Sequence, residues 1–483
     1  MIKSSVLENM NKKIEWGISA GTHDASITVM RGTEILFASH SERYSRIKND
    51  KDLNDRLIIS ALRWDKPDVI YWYENPLLKW TRKKWARQPN AWLNPKEYMK
   101  RWNINAPIYW GNHHRSHMAA GYYTRPFGDC ATLVIDAIGE WTTTSIWNNE
   151  QLVWSDSYPK SFGLFYSAFT SRIGLKPNED EYILMGMAAY GDPIRFHSDV
   201  LEIWHSGINL HKGLSWWMPE LKEEDYFDVA AAVQAVYEGQ FKMMLRKVKK
   251  ITMQNNLVFM GGCALNCLAN RFIPDYFKDH WIMPNPGDAG SSLGAILAHK
   301  KEVVPFTVFT GETIYGEYPV WQLLDELKET GIVGVAHGKA EFGPRALGNR
   351  SLLADPRGKE MQNKVNKIKQ RQEFRPFAPV IRQEDVSKYF DVDSSFHSPY
   401  MQHVVKCKDP DKYPAIVHKD GTSRVQTVTN DSHRGLYHLL ERWERDTGCP
   451  LLLNTSLNIK GMPMVNTKED AMDFEKEYDV RVF

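Results

Sequence analysis

Near the front of the chain, apolar residues alternate with polar ones over three successive short stretches. "KKIEWGISAG" runs into a glycine-rich turn, and "ASITVMRG" and "TEILFASHSE" meet at Arg31-Gly32, which predicts three strands with a hairpin between the second and third. A helix is predicted in "DLNDRLIISALRW" and a strand in "DVIYWYE". The plan then returns: "CATLVIDAIGE" is an apolar strand ending in a turn, and "WTTTSIW" and "LVWSDSY" flank the polar "NNEQ" as a second hairpin. A long amphipathic helix, "FDVAAAVQAVYEGQFKMMLRKVKKIT", leads to the strand "NLVFMGG" and to "CALNCLANRF", which reads as helix. "NPGDAGSSLGAILAHK" repeats that order of turn, small residues and helix. From about residue 312 a new α/β unit begins, with the helix "VWQLLDELKETG" and the strand "IVGVAHG".

A duplicated unit of three strands plus helices is the layout of the actin-like (ASKHA) fold, and that layout places nucleotide between the two halves. The sequence therefore predicts an α/β protein with a duplicated actin-like domain over 1–312 and a second α/β domain over 313–483. At 483 residues the chain is too long for one ordinary domain. Its 42% hydrophobic and 25% charged residues, and a formal charge of +2, exclude a strongly basic or acidic protein as a whole. The five cysteines are odd in number, and the one close pair, Cys263 and Cys267, has neither zinc-ribbon nor disulfide-framework spacing. Reduced thiols in a cytoplasmic protein are expected. The polar start "MIKSSVLENMNKK" has no signal core, and no apolar run nears the ~20 residues that span a membrane.

Four groups of residues carry chemistry. In "GNHHRSHMAAGYY", His113 and His117 are four apart and share one helix face, with Asn112 as N-cap. Asp136 ends an apolar strand and Asp288 lies in a glycine-rich turn; with the two imidazoles they make a donor set suited to iron(II), manganese or zinc. The bland alternative is a pair of turn-capping carboxylates. Second, "GKAEFGPRALGNRSLLADPR" and "KIKQRQEFRPFAP" put Arg345, Arg350, Arg357, Lys369, Arg371 and Arg375 within thirty-one residues, interleaved with Gly, Pro and Phe. Such forks suit phosphate or carboxylate, and the pattern favours an anion pocket over a solvated basic face. Third, "LLLNTSLNIKG" presents Asn454, Ser456 and Asn458 at a strand end, as ligand contacts or as turn formers, and Arg424 sits in "HKDGTSRVQTV". Fourth, Lys79–Trp102 holds eight Lys or Arg, one acid, four Trp and a Tyr. Basic groups among aromatics suit phosphate contact and base stacking; the alternative is a helical insertion with aromatics packed inside and cations in water.

Together the phrases "HHRSH", "VIDAIGE", "EYILMGMAAYG", "GGCALNC", "GDAGSSLGA", "EFGPRALGNRSLLADPR", "FRPFAP", "DGTSRVQTV" and "TGCPLLLNTSLN" resemble the O-carbamoyltransferases that act on nodulation factors and antibiotics. The resemblance spans nearly the whole chain. It implies an actin-like first domain similar to the tRNA threonylcarbamoyl transferase and a YrdC-like second domain. It implies that carbamoyl phosphate and ATP, with Mg2+, give carbamoyl adenylate, and that the carbamoyl group then passes to an acceptor hydroxyl. By motif it assigns His113, His117, Asp136 and Asp288 to an Fe2+-type ion, with Mn2+ or Zn2+ as alternatives. It assigns Gly261, Gly262 and Asn266 to the adenylate, and Lys369, Arg371, Arg375, Ser456 and Asn458 to carbamoyl phosphate and the triphosphate. His23 and Asp24, in "GTHDAS", match a family His-Asp pair, as acceptor base and its orienting group or as a turn-capping pair. One departure is Gln372, where a Glu is typical. The acceptor stays open: a hydroxymethylpyrimidine in nucleotide or DNA would use the Lys79–Trp102 segment, a sugar or antibiotic-like hydroxyl would not. A tRNA threonylcarbamoyl-type transferase and a non-enzymatic nucleotide-binding module are the competing classes. Oligomeric state is not legible.

Overall fold

Six buried residues in a row, Ile14–Ser19, form β1, the central strand of the first sheet. β2 (Ser26–Arg31) pairs with it antiparallel, and β3 (Glu34–His40) pairs antiparallel with β2. β4 (Val69–Trp72) and β5 (Ile108–Trp110) then add in parallel on the other side, giving the order β3-β2-β1-β4-β5. The second sheet repeats this plan. β6 (Ala131–Ile135) is central, β7 (Thr142–Asn148) and β8 (Gln151–Ser157) follow antiparallel, and β9 (Asn256–Met260) and β10 (Asp279–Trp281) are parallel. This doubled strand order is the actin-like architecture. The computed structural model describes residues 12–88 and 92–483. Met1–Asn11, most of the polar start read above, and Pro89–Ala91 of the basic segment lie outside the described residues.

The chain forms two compact units, Asn49–Phe306 with the residues up to Ser41, and Thr307–Phe483 with Glu42–Lys48. The break falls at 306/307 rather than near 312. The physical reason is β11 (Phe309–Ile314), which pairs antiparallel with β13 (Gly338–Glu341) and so belongs to the second unit. The main sheet of that unit has the order β12-β14-β19-β15-β18, built from Ile332–Ala336, Arg350–Ala354, Leu451–Ser456, Ala378–Arg382 and Gln426–Val428. Leu352, Leu353, Val380, Ile381 and Leu451–Leu453 carry its core, closed by Leu436, Leu439, Leu440 and Trp443 of one amphipathic helix. β16 (Val404–Lys406) and β17 (Thr422–Arg424) make a separate ribbon.

Four helices place the chemistry: α1 (Pro76–Trp85), α2 (His113–Tyr122), α3 (Ser291–Lys300) and α4 (Lys359–Lys369). The expected helix in "CALNCLANRF" is instead a 3-10 turn, Gly262–Leu265, followed by the short helix Cys267–Asn270. Asn266 breaks it, because its side chain caps the second piece. Among the described residues no helix is long and apolar enough to cross a membrane.

Candidate active site

α2 starts where Asn112 caps it, its side chain accepting from Arg115 N at 3.1 Å. Glu140, just past β6, holds the same helix end: its carboxylate accepts from His113 N at 2.9 Å, Asn75 N at 2.8 Å and Asn112 Nδ2 at 3.1 Å. α2 lies directly against α3. A Cβ at Gly294 of α3 would stand 1.8 Å from the Ser116 carbonyl oxygen, so only glycine permits this approach. Asp136 follows the last residue of β6, and Asp288 opens the turn that leads into α3.

These elements bring His113, His117, Asp136 and Asp288 together, all buried, with one donor atom from each within 4.8 Å of the others. His113 Nε2 lies 3.1 Å from His117 Nε2, 3.1 Å from Asp136 Oδ2 and 3.4 Å from Asp288 Oδ1, and His117 Nε2 lies 3.3 Å from Asp288 Oδ1. His117 Nδ1 faces the Pro286 carbonyl oxygen at 3.1 Å, which accepts only, so the proton sits on Nδ1 and Nε2 presents its lone pair. Ser291 Oγ is also 3.1 Å from Nδ1. His113 Nδ1 is backed by Glu74 Oε2 at 3.6 Å, and Glu74 Oε1 is bound by Lys79. Asp288 Oδ1 is buried with no hydrogen-bond partner among the described residues. Burial resists charge on His113, but Asp288 and then Asp136 outweigh it and hold its pKa well above the imidazole range. Burial likewise opposes the carboxylates, yet His113 and its neighbours hold Asp136 low and Asp288 well below the carboxylate range. Two buried carboxylates beside two inward-facing ring nitrogens form a donor set that fits a divalent cation. The third histidine of the motif, His114, is outside this set. It pairs with Ser145 Oγ at 2.8 Å, and burial plus the His113 charge bring its pKa down to about 3.

His23 and Asp24 sit at the rim. His23 Nδ1 is 2.9 Å from Asp24 Oδ2, and His23 Nε2 is 3.8 Å from Asp288 Oδ2. Asp24 occupies the left-handed backbone region, φ 55°, which turns its carboxylate back onto His23. Thr22 Oγ1 links Asp288 Oδ2, at 3.5 Å, to the Tyr73 hydroxyl, at 2.8 Å. Gly262 N points at Asp136 Oδ1 at 3.4 Å, while Gly261, with φ 92°, passes so close to the Ile135 carbonyl that a Cβ would stand 2.1 Å from it. Asn266 exchanges amide hydrogen bonds with Gln234, at 3.2 and 3.1 Å.

In the second unit Lys369, the last residue of α4, is buried and donates to the Ser456 carbonyl, to Ser456 Oγ at 3.1 Å and to Asn458 Oδ1 at 2.6 Å. Three of the expected anion ligands thus meet at one point. Burial, then the charges of Arg371, Arg375 and Lys48, drive the Lys369 pKa well below that of a free lysine. Such an electropositive cluster attracts an oxyanion. Arg371 packs 3.7 Å over the Phe377 ring and donates to Asn366 Oδ1, Arg375 O and Pro376 O, which fixes the turn carrying Arg375. Arg345 is half-buried in the loop between β13 and β14, which Glu341 Oε1 shapes by accepting from Leu347 N, Asn349 N and Arg350 N. Arg424 ends β17, its Nε buried without a partner. Asn454 is internal, tying β19 to Ala346 O and Gln426 Oε1 at 3.2 and 2.7 Å.

Besides Arg371, two more of the six cations read as anion ligands have other duties. Arg350 is fully buried and donates to five backbone carbonyls, those of His337, Gly338, Asn349, Glu312 and Asn466. Arg357 pairs with Asp355 at 2.7 Å. Sequence reasoning missed Glu74, Ser291 and Lys48, and placed Lys79 only in the basic segment. Their spacing carries no signal, although "WYENP" beside a strand end and "SRIK" beside "HSE" were visible. The Lys79–Trp102 segment matches neither reading in full. Lys79 and Arg82 of α1 are buried, Lys84 and Arg87 face out, Tyr98 is buried, and Trp85 and Trp92 are exposed.

Comparison with known proteins adds the following. The carbamoyltransferase N-terminus family model matches residues 83–212 and 209–297, and the carbamoyltransferase C-terminus model matches 324–483. The chain is 33% identical to the uncharacterized protein sll1178 of Synechocystis sp., over 94% of this chain and 93% of that protein. It is 29% identical to nodulation protein NolO of Bradyrhizobium diazoefficiens, covering 75% of each chain, and 28% identical to the 3'-hydroxymethylcephem-O-carbamoyltransferase of Amycolatopsis lactamdurans, covering 65% of each. Among solved structures, the activator of the 2-hydroxyisocaproyl-CoA dehydratase from Clostridium difficile is 13% identical with a TM-score of 0.35, over 60% of this chain and 96% of that one. The fold assignment rests on the strand order, not on that score.

Proposed function

The chain belongs to the carbamoyltransferase family, and from that premise we propose an ATP-dependent O-carbamoyltransferase with donor activation in the second unit and transfer in the first. The observation that carries the reading is the convergence of His113, His117, Asp136 and Asp288 on one point. These four would hold a divalent ion, Fe2+ or a chemical relative. Bound there, the ion supplies Lewis-acid polarisation of a substrate oxygen. The remaining chemistry falls to the chain itself.

Lys369, Ser456 and Asn458, with Arg375, Arg345 and Arg424, bind the anionic groups of carbamoyl phosphate and Mg2+-ATP. Water cleaves carbamoyl phosphate to carbamate and inorganic phosphate; a carbamate oxygen then attacks the α-phosphorus of ATP, the bond to the β-phosphate breaks and pyrophosphate leaves, so that the carbamoyl carbon of the adenylate carries AMP as its leaving group. Gly262 N and the Gly261 turn form the backbone wall against which the adenylate rests. The acceptor hydroxyl attacks the carbamoyl carbon, the bond to AMP breaks, and the hydroxyl proton passes to His23 Nε2. Asp24 orients that ring through Nδ1. Burial lowers the His23 pKa, but Asp288 and Asp24 outweigh it and bring it up to about 10, so the ring holds strongly a proton that it takes up.

The test has two readouts. Wild-type protein should release pyrophosphate from ATP only when carbamoyl phosphate is present. His23→Ala should keep that release and lose transfer to a hydroxyl. Loss of both steps together would remove His23 from the base role, and release without carbamoyl phosphate would remove the donor.

A further inference from the structure

α1 turns Lys79 and Arg82 inward on one face. Lys79 is accounted for by Glu74. Arg82 is not: it is 4% exposed, and its buried Nε has no hydrogen-bond partner among the described residues. The carboxylates whose charges act on it are Glu74 and Glu140. Both are committed elsewhere, Glu74 to Lys79 and His113, Glu140 to Asn75 N, Asn112 Nδ2 and His113 N. A buried guanidinium with an empty donor is destabilising, because the lost hydration of that N–H is not replaced. Such a donor is open to an acceptor from outside the chain, a water or a ligand.

The same helix end carries an aromatic wall. Trp85 is 64% exposed, yet its ring is fixed edge-on to Trp141, centroids 5.6 Å apart, and to Tyr158, 6.0 Å apart. Trp141 directly follows Glu140, in the turn after Asp136. A Cβ at Gly139 of that turn would lie 3.1 Å from the His113 ring, so the turn runs along the cage. Tyr73, whose hydroxyl is among the groups that act electrostatically on Arg82, has its ring 5.3 Å from that of His113. The arginine with its unpaired Nε and the exposed tryptophan therefore flank one side of the cage, within one unit.

We infer that Arg82 and the Trp85–Trp141–Tyr158 wall form the acceptor subsite of the transfer reaction, taking a hydroxyl compound whose ring lies on the tryptophans and whose oxyanion, a phosphate or carboxylate, pairs with Arg82. A flat indole face suits a nucleobase or a sugar ring, and a guanidinium fork suits the oxyanion. The inference rests on the transferase reading for its purpose, but its binding test does not.

The probes are two pairs, thymidine 5'-monophosphate with thymidine and glucose 6-phosphate with glucose, titrated into the full-length protein and followed by tryptophan fluorescence and calorimetry. At least one phosphorylated member should bind about tenfold or more tighter than its parent, since a charge-assisted pair is lost with the phosphate. The pair that responds identifies the ring as base or sugar. Arg82→Gln should abolish the phosphate preference, Arg82→Lys should keep part of it, and Trp85→Ala should weaken both members alike. A purely structural Arg82 would instead weaken phosphorylated and parent compounds equally, and that result overturns the assignment, as does the absence of binding by either pair. Pyrophosphate release by wild-type protein separates the two ideas. Release without phosphate preference sinks the subsite alone, and preference without carbamoyl-phosphate-dependent release sinks the transferase reading alone.

Discussion

The close approach of α2 and α3 yields the sharpest prediction. Gly294→Ala would place a methyl group 1.8 Å from the Ser116 carbonyl oxygen, 2.7 Å from its carbon and 3.1 Å from Ala120 Cβ, where ordinary contact begins at 3.4 Å. Neither partner is the tip of a flexible side chain, so a helix has to move by more than an ångström. Overpacking of this kind costs about 1–3 kcal/mol, which for a unit of this size lowers the melting temperature by roughly 5–10 °C at the upper end. Ser116 adjoins His117 and shares its helix with His113, so the imidazoles move with the backbone. A misplacement near 1 Å at a reacting site costs about a hundredfold in rate. Gly239 is the control: it lies inside the helix Tyr226–Thr252, and a Cβ there meets nothing within 4 Å. Gly239→Ala should therefore stabilise by about 0.5–1 kcal/mol through helix propensity alone. The assays are thermal melting, calorimetric titration with Mn2+ and the rate of carbamoyl transfer. Equal melting temperatures and cation affinities for the two variants would refute the claim that this helix contact positions the cage.

Chelation should lower the melting temperature of the wild-type protein, and added Mn2+ or Fe2+ should restore it, by about 3 kcal/mol of stabilisation at a hundredfold excess over Kd; Asp288→Asn should lose most of that response in differential scanning calorimetry. Glu140→Gln replaces one acceptor oxygen by an amide that cannot accept from Asn75 N, Asn112 Nδ2 and His113 N together, so stability should fall by about 2 kcal/mol in urea titrations and cation affinity with it. Lys369 binds its proton more weakly folded than unfolded, so its burial weakens the fold most below the depressed pKa, and that penalty fades as pH rises toward the unfolded value. An oxyanion bound beside it raises that pKa, and above the depressed value inorganic phosphate should bind with proton uptake. Calorimetry in buffers of different ionisation enthalpy would detect this, and Lys369→Met should abolish it. Arg350→Ala should unfold the second unit, since five carbonyls lose their donor at a cost of several kcal/mol; circular dichroism decides.

Much of this architecture was legible because it is periodic. A strand ending in a turn followed by a hairpin, first in β1 to β3 and again in β6 to β8, exposed the repeat, and with it the actin-like plan. The i, i+4 spacing of His113 and His117 put both on one helix face, and Asp136 stood out because a carboxylate closed an apolar strand. What stayed hidden depends on contacts far apart in sequence. Glu74 meets His113 across thirty-nine positions, with no local mark. Arg350 sits in a run of arginines that reads as one anion pocket, yet its five acceptors come from four separate segments. The Lys79–Trp102 stretch resisted because composition does not tell which side of a helix turns inward, and Arg82 turns inward against its polarity. The "CALNC" helix failed for a local reason, since one asparagine amide outcompeted the backbone.

Seven residues from the front of the chain, Glu42–Lys48, are completed structurally by the rear unit. Arg43 donates to Gly343 O at 2.9 Å, Arg46 to Met464 O at 2.6 Å and Pro463 O at 3.1 Å, and Tyr44 to Glu312 Oε2 at 3.3 Å. The rear half is thus not a module that a single cut can release. A fragment beginning at Thr307 is a lock without its pin, and a short synthetic peptide spanning Ser41–Asn49, offered in trans, is the piece that would mend it.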